Sequence, residues 1–118
     1  MGAADLHAAV EAAVNAGNVD ALVALYEPDA HLLGEEGAVA VGLDAIREVW
    51  TTLVSFGGRI SMTTRYAVEQ GDIALLSNVF EFEMGGAVVA TAITAEVARR
   101  QADGSWRYVI DNPYASPA

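Results

Sequence analysis

Three side chains in this sequence are candidates for chemistry: Asp111, Asn78 and His31. Asp111 ends the run Val109-Ile110-Asp111 in a β-rich segment. If Trp106, Tyr108 and Ile110 take one face of that strand, alternation turns Val109 and Asp111 to the other. An ionised carboxylate in an apolar interior is costly without a partner. Burial therefore raises its pKa towards the range useful to a general base. The chemistry is then proton transfer beside a carbonyl. A one-residue slip in the preceding hairpin puts Asn112 in its place. Asn78 lies in Asp72 to Met84, where Asn78, Phe80, Phe82 and Met84 alternate with Val79, Glu81 and Glu83. A lone amide on an apolar face either satisfies a buried neighbour or hydrogen-bonds a ligand, a developing oxyanion included. His31, between Ala30 and Leu32, titrates close to neutrality and is a candidate ligand or proton carrier.

Other chemistries have no residues to carry them. With no cysteine there is no disulfide framework, thiolate nucleophile or sulfur-ligated metal. The two histidines, His7 and His31, are far apart in sequence, and no H-x-x-x-H or D-x-D pattern occurs, so no metal is expected. No G-x-S-x-G or P-loop pattern is present either. No cofactor is expected. The formal charge of −10 argues against nucleic acid and anionic membrane surfaces as partners. No apolar run approaches the ~18 residues of a membrane span. The first helix carries Asp5 and Glu11 and no basic leader, unlike a signal peptide. A soluble, cytoplasmic protein is expected.

Hydrophobic periodicity supplies the elements that must position the candidates. Leu6, Val10, Ala13 and Val14 recur at helical spacing between Ala3 and Ala16, and Gly17 stops that helix. His7 stands four residues before Glu11 and reads as one half of a solvated pair. Asn18 caps a short second helix that carries Val19, Leu22, Leu25 and Tyr26 inward, ended by Pro28 and Asp29. Ala30 to Leu33 and Ala38 to Val41 form a hairpin about Gly34 to Gly37. A third helix runs from about Asp44 to Val54 with a stripe of Ile46, Val49, Trp50 and Leu53, and Gly57-Gly58 breaks it. Four strands follow: Ile60 to Glu69, Ile73 to Met84, Ala87 to Gln101 and Trp106 to Asp111. Their short Gly-containing links, Gly85-Gly86 among them, make them antiparallel neighbours. With 118 residues and 53% hydrophobic side chains, one α+β domain over 1–118 is expected, helices on one face of the sheet. So few helices leave the other face bare. Leu75, Val79, Trp106, Tyr108 and Ile110 are placed there, and a second copy is the simplest cover.

The order of elements resembles the nuclear transport factor 2-like cone fold, which includes ketosteroid isomerases and SnoaL-like polyketide cyclases. The resemblance is carried by A-G-N-V-D-A-L-V-A-L-Y-E-P-D-A (Ala16 to Ala30), G-L-D-A-I-R-E-V-W (Gly42 to Trp50) and R-R-Q-A-D-G-S-W-R-Y-V-I-D-N-P (Arg99 to Pro113). It implies a cone-shaped curved antiparallel sheet wrapped around N-terminal helices, enclosing an apolar pocket. It does not carry over the isomerase machinery. The general-base position falls on Gly34, the first-helix tyrosine on Val10, and the second aspartate near Ile93 or Thr94. Two aromatic wall positions survive in kind, as Tyr26 and Trp50. If Gly34 faces the pocket, parity turns His31 outward. In SnoaL-like cyclases the acid–base residues tend to lie late in the chain, which matches Val109 to Asn112.

The resulting expectation is a pocket walled by Tyr26, Trp50, Tyr66, Leu76, Phe80 and Phe82. Asp111, Asn78 and His31 are its polar groups, and a small apolar molecule is its occupant. Three function classes remain open. One is a cofactor-free cyclase or isomerase. A second is a non-catalytic dimeric binder of a hydrophobic ligand. The third is a protein-interaction module using the outer sheet face. An enzyme needs a proton carrier within reach of a second polar group, whereas a binder needs shape and one orienting contact.

Overall fold

Helix α1 (Asp5–Ala16) buries Leu6, Val10, Ala13 and Val14. It ends at Gly17, whose φ of 67° is open to glycine without steric cost. Gly17 N–H donates to Val14 O at 3.0 Å and Asn18 N–H to Ala13 O at 2.9 Å, which satisfies the last carbonyls of the helix. Asn18 caps α2 (Val19–Val23), its Oδ1 accepting from Ala21 N–H at 3.0 Å. The structure, a computed structural model, describes residues 2–118.

The chain continues through β1 (Tyr26–Leu33), a single 3-10 turn (Glu35–Gly37), β2 (Val39–Val41), α3 (Leu43–Ser55) and four long strands. These are β3 (Arg59–Gln70), β4 (Ile73–Met84), β5 (Ala87–Arg100) and β6 (Trp106–Pro117). All six strands form one open sheet in the order β2-β1-β6-β5-β4-β3. β3 to β6 are an antiparallel meander, and β1 adds to β6 in parallel. The helices pack on the concave face, giving the expected α+β cone. Two boundaries differ from expectation. Tyr26 is the first residue of β1 rather than part of the second helix, because α2 stops at Val23. β6 runs on past Asp111 to Pro117.

Two of the sheet's register shifts reset side-chain sidedness in a way that alternation alone does not reveal. In β3, Thr64 faces Asn78 and Tyr66 faces Ser77, so Arg65 is an extra residue. In β6, Ile110 faces Val97 and Tyr108 faces Ala98, so Val109 is extra. The first bulge turns Tyr66 outward, where it is 38% exposed; the expectation that it lines the pocket is corrected. The second corrects β6. Trp106 and Tyr108 are buried among the helix-facing side chains, and only Ile110 of that trio faces out.

The polar side of α1 has a structural task. Asn15 Nδ2 donates to Ile60 O at 3.0 Å and its Oδ1 accepts from Ile60 N–H at 2.8 Å. Glu11 Oε1 accepts from Met62 N–H at 2.8 Å, and His7 Nδ1 meets Thr64 Oγ1 at 2.9 Å. His7, Glu11 and Asn15 recur every four residues, so one helix stripe follows β3, an edge strand whose free groups would otherwise offer a template for pairing. The reading of His7 and Glu11 as a solvated pair is therefore corrected. Among the described residues no helix is long and apolar enough to cross a membrane.

Gly58 joins α3 to β3 beneath the ring of Phe82. A Cβ there would overlap Phe82 Cζ and lie 2.6 Å from Glu83 O, and the backbone oxygen cannot swing away. Gly58→Ala is expected to destabilise by about 1–3 kcal/mol through overpacking. Urea denaturation checks this, and a stability equal to wild type would show that the α3–β3 link gives way freely.

Candidate active site

Between the helices and the sheet lies a cavity of about 450 Å³. Val10 and Val14 of α1, Trp50 and Leu53 of α3, and Ile60, Met62, Phe80 and Phe82 of the sheet make its greasy walls. Its polar groups are Asn78, Thr94, Glu96, Tyr108 and Asp111, with Glu35, Thr52 and Tyr114 also on the wall. Asn78, Phe80 and Phe82 share the inward face of β4.

Asp111 and Glu96 are direct partners across the antiparallel β5–β6 pair. Both side chains are buried, 8% and 2% exposed. Side chains opposite one another in such a ladder lie about 5 Å apart at Cβ, so the two carboxyl groups share one site. Burial, then the charge of Glu96, raises the pKa of Asp111 to about 7, against a smaller lowering by the hydrogen bond from Tyr26. Tyr26 Oη donates to Asp111 Oδ2 at 2.5 Å, and Trp50 Nε1–H donates to Tyr26 Oη at 3.2 Å. Burial and the nearby Asp111 hold the Tyr26 hydroxyl well above the usual tyrosine range. Burial, Asp111 and Glu96 do the same for Tyr108. Both phenols therefore stay protonated, and Tyr26 is the donor to Asp111.

Glu96 is held from the other side. His7 Nε2 lies 2.6 Å from its Oε1, and since a carboxylate only accepts, that nitrogen carries a proton. Among the described residues Glu96 Oε2 has no hydrogen-bond partner, and neither does Asn78 Oδ1. The backbone N–H of Asn78 is satisfied by Thr94 Oγ1 at 3.0 Å.

Of the residues expected at the site, Asp111, Asn78, Trp50, Phe80 and Phe82 line the cavity. Tyr26 stands behind the wall, fully buried, and acts through its hydroxyl. Leu76 points inward but is sealed in the core with 0% exposure and does not reach the cavity. His31 is exposed on the outer face, its Nδ1 3.2 Å from Asp29 O, because β1 turns Ala30 and Leu32 inward. It is removed as a candidate. Glu96, His7 and Tyr108 were not anticipated. A signal for Glu96 existed: Ala92, Thr94, Glu96 and Ala98 alternate, leaving one acid on an apolar face. His7 shares its helix face with Val10 and Val14, at helical steps of three and four. Val10, Gly34 and Thr94 do stand on the cavity wall, without an acid or phenol among them. Among the described residues no cluster of three or more His, Asp and Glu side chains is placed to hold a metal ion.

A family model described as the SnoaL-like domain matches residues 6–111. No curated protein matches the chain in sequence. Solved structures do. One is a ketosteroid isomerase-like protein from Erwinia carotovora atroseptica, with 26% identity, a TM-score of 0.68, and 87% of this chain and 85% of that one covered. Another is a candidate calcium/calmodulin-dependent protein kinase type II association domain from Thiobacillus denitrificans, with 20% identity, a TM-score of 0.83 and coverage of 99% and 95%. A third is an NTF2-like protein with a cystatin-like fold from Novosphingobium aromaticivorans, with 22% identity, a TM-score of 0.74 and coverage of 91% and 75%.

Two outcomes follow from this geometry. The folded pKa of Asp111 exceeds the ordinary 3.8, so the native state binds its proton more tightly than the unfolded chain does. Its contribution is complete below that ordinary value and is lost as pH rises through about 7. Thermal melts of wild type are expected to fall across this window, and Asp111→Asn to fall less, with the largest gap near about pH 8. Parallel curves would count against a shifted Asp111. Separately, His7→Phe leaves both oxygens of Glu96 unpartnered and is expected to cost about 3–5 kcal/mol. His7→Gln, which keeps a donor, is expected to lose less in the same denaturant titration.

Proposed function

The chain belongs to the SnoaL-like domain family, and from that premise we propose a cofactor-free cyclase or isomerase that moves a proton next to the carbonyl of a small apolar compound. One observation carries this reading: a carboxyl group with a pKa of about 7 stands on the wall of an otherwise greasy cavity, directly opposite a second buried carboxylate. Near neutrality such a group is present in both forms, so it can take a proton from carbon and return it. Asp111 is the proton carrier. The amide of Asn78 and the phenol of Tyr108 supply donors for the oxygen on which negative charge develops. Tyr26 and Trp50 orient Asp111. Glu96 keeps the Asp111 proton affinity high, and His7 holds Glu96 in place.

The geometry also favours a second reading, because the cavity wall is mainly hydrocarbon and aromatic. Such a lining holds an apolar ligand with no turnover. The two are separated by exchange of α-protons. A panel of small apolar ketones is incubated with the protein in D₂O and followed by proton NMR. The enzyme reading expects accelerated exchange for at least one ketone and a loss of about 10²–10⁴-fold in Asp111→Asn. Ketones that bind without any exchange above buffer would leave the binder.

The partner in this reading is a second copy. Val68, Leu75, Val97, Ile110, His31 and Val41 form one row of outward side chains across all six strands. Leu75, Ile110, Val41 and Val68 are 43–58% exposed. A row of that kind, apolar except at His31, invites isologous pairing. Sedimentation equilibrium is expected to give a dimer for wild type and a monomer for Leu75→Lys. A monomeric wild type at micromolar concentration would remove the partner.

A further inference from the structure

We infer that Tyr114 is a further residue of this site, its phenol hydroxyl donating a hydrogen bond to the carbonyl oxygen of the bound compound. The inference deepens the reading above and rests on the cavity holding a small carbonyl compound.

Tyr114 owes its place to an irregularity of β6. Ala95 faces Asn112 and Ile93 faces Ser116, so Thr94 alone on β5 stands against Pro113, Tyr114 and Ala115 on β6. The extra residues push the strand out of the ladder, and bulges of this kind re-aim side chains beside functional sites. Pro113 has no N–H to leave unpaired there. Tyr114 N–H donates to Asn112 Oδ1 at 3.1 Å, which fixes the bulge from within. Thr94, Pro113 and Tyr114 all stand on the cavity wall, and so does Asp111, three residues before Tyr114 on the same strand.

The other donors around the cavity are largely committed. Trp50 Nε1–H donates to Tyr26, Tyr26 to Asp111, and the Thr52 hydroxyl to Glu48 O. Asn78 and Tyr108 are nearly sealed into the wall. Tyr114 is 41% exposed, and its hydroxyl makes no hydrogen bond among the described residues. Burial, then the charges of Glu35 and Asp111, raise its pKa above the ordinary tyrosine value. It therefore keeps its proton near neutrality and is available as a donor.

The chemistry requires a donor in that position. An α-proton and the carbonyl oxygen belong to neighbouring carbons, so the base and the donor must flank one small compound. One short stretch of β6 supplies both. An occupant that covers Tyr114 strips water from the phenol, and a hydroxyl left unpaired would then cost its desolvation. A carbonyl oxygen meets that need. The bond strengthens as negative charge develops on the oxygen, so it is worth more in the transition state than in the bound ground state.

The test compares wild type with Tyr114→Phe, which keeps the ring and removes only the hydroxyl. Acetophenone labelled with ¹³C at its carbonyl is bound to each full chain and read by difference infrared spectroscopy. The carbonyl stretch is expected at lower frequency in wild type than in Tyr114→Phe. In the α-proton exchange assay kcat is expected to fall about 10–10²-fold with KM little changed, whereas a side chain that merely packs would move KM and leave kcat. Equal carbonyl frequencies in the two proteins overturn the inference, and so does a wild type that binds no acetophenone at millimolar concentration. The two readings fail separately. A shifted carbonyl without exchange in wild type keeps the Tyr114 contact and removes the isomerase reading. Exchange with an unshifted carbonyl keeps that reading and removes Tyr114.

Discussion

Which groups face the cavity is decided by one inserted residue, Val109. Without it, strict alternation would place Trp106, Tyr108 and Ile110 on one face and Asp111 on the other. With it, Trp106, Tyr108 and Asp111 all point toward the helices, and Ile110 alone faces out. The bulge therefore does two jobs that a regular strand cannot combine. It buries two aromatic side chains in the core, and it sets Asp111 opposite Glu96. Bulges re-aim side chains in this way at the rims of sheets and beside functional sites.

Two carboxyl groups forced together need a frame that tolerates them. Each has a donor on its far side, Tyr26 for Asp111 and His7 for Glu96. The two donors come from different elements, β1 and α1, so the site forms only when the helices have docked on the sheet. The same α1 stripe that delivers His7 also closes the edge of β3 through Glu11 and Asn15. Stability of the edge and geometry of the site are thus coupled through one helix face. A substitution that lifts α1 from β3 would loosen Glu96 as well.

The rest of the cavity amplifies what these groups do. Walls of Val10, Val14, Leu53, Ile60 and Phe80 exclude water and keep the local dielectric low. Charges then act on one another at full strength, which is why Glu96 raises Asp111 as it does. Phe82 forms part of this wall, and its position over Gly58 shows how closely the α3–β3 link was fitted to it.

Much of the architecture was readable from residue order. Helix α1 and its glycine stop, the β1–β2 hairpin, and β3 to β5 follow from period and turn chemistry, which are local properties. The inward face of Asn78, Phe80 and Phe82 also follows, because β4 is regular from Ile73 to Phe82. Tertiary structure decided the rest. A bulge is recorded in the pairing of two strands and has no mark in either strand alone, so Tyr66 and Tyr108 exchanged the faces expected of them. His7 and Glu96 are 89 residues apart, and each alone looks like an ordinary surface charge. Only the docking of α1 across the sheet removes both from water and makes them a pair. Composition and periodicity thus determined the helices, the strands and the apolar sheet face that the helices cover. Which polar groups meet inside it depended on long-range contacts, because burial and partnership are properties of the assembled molecule.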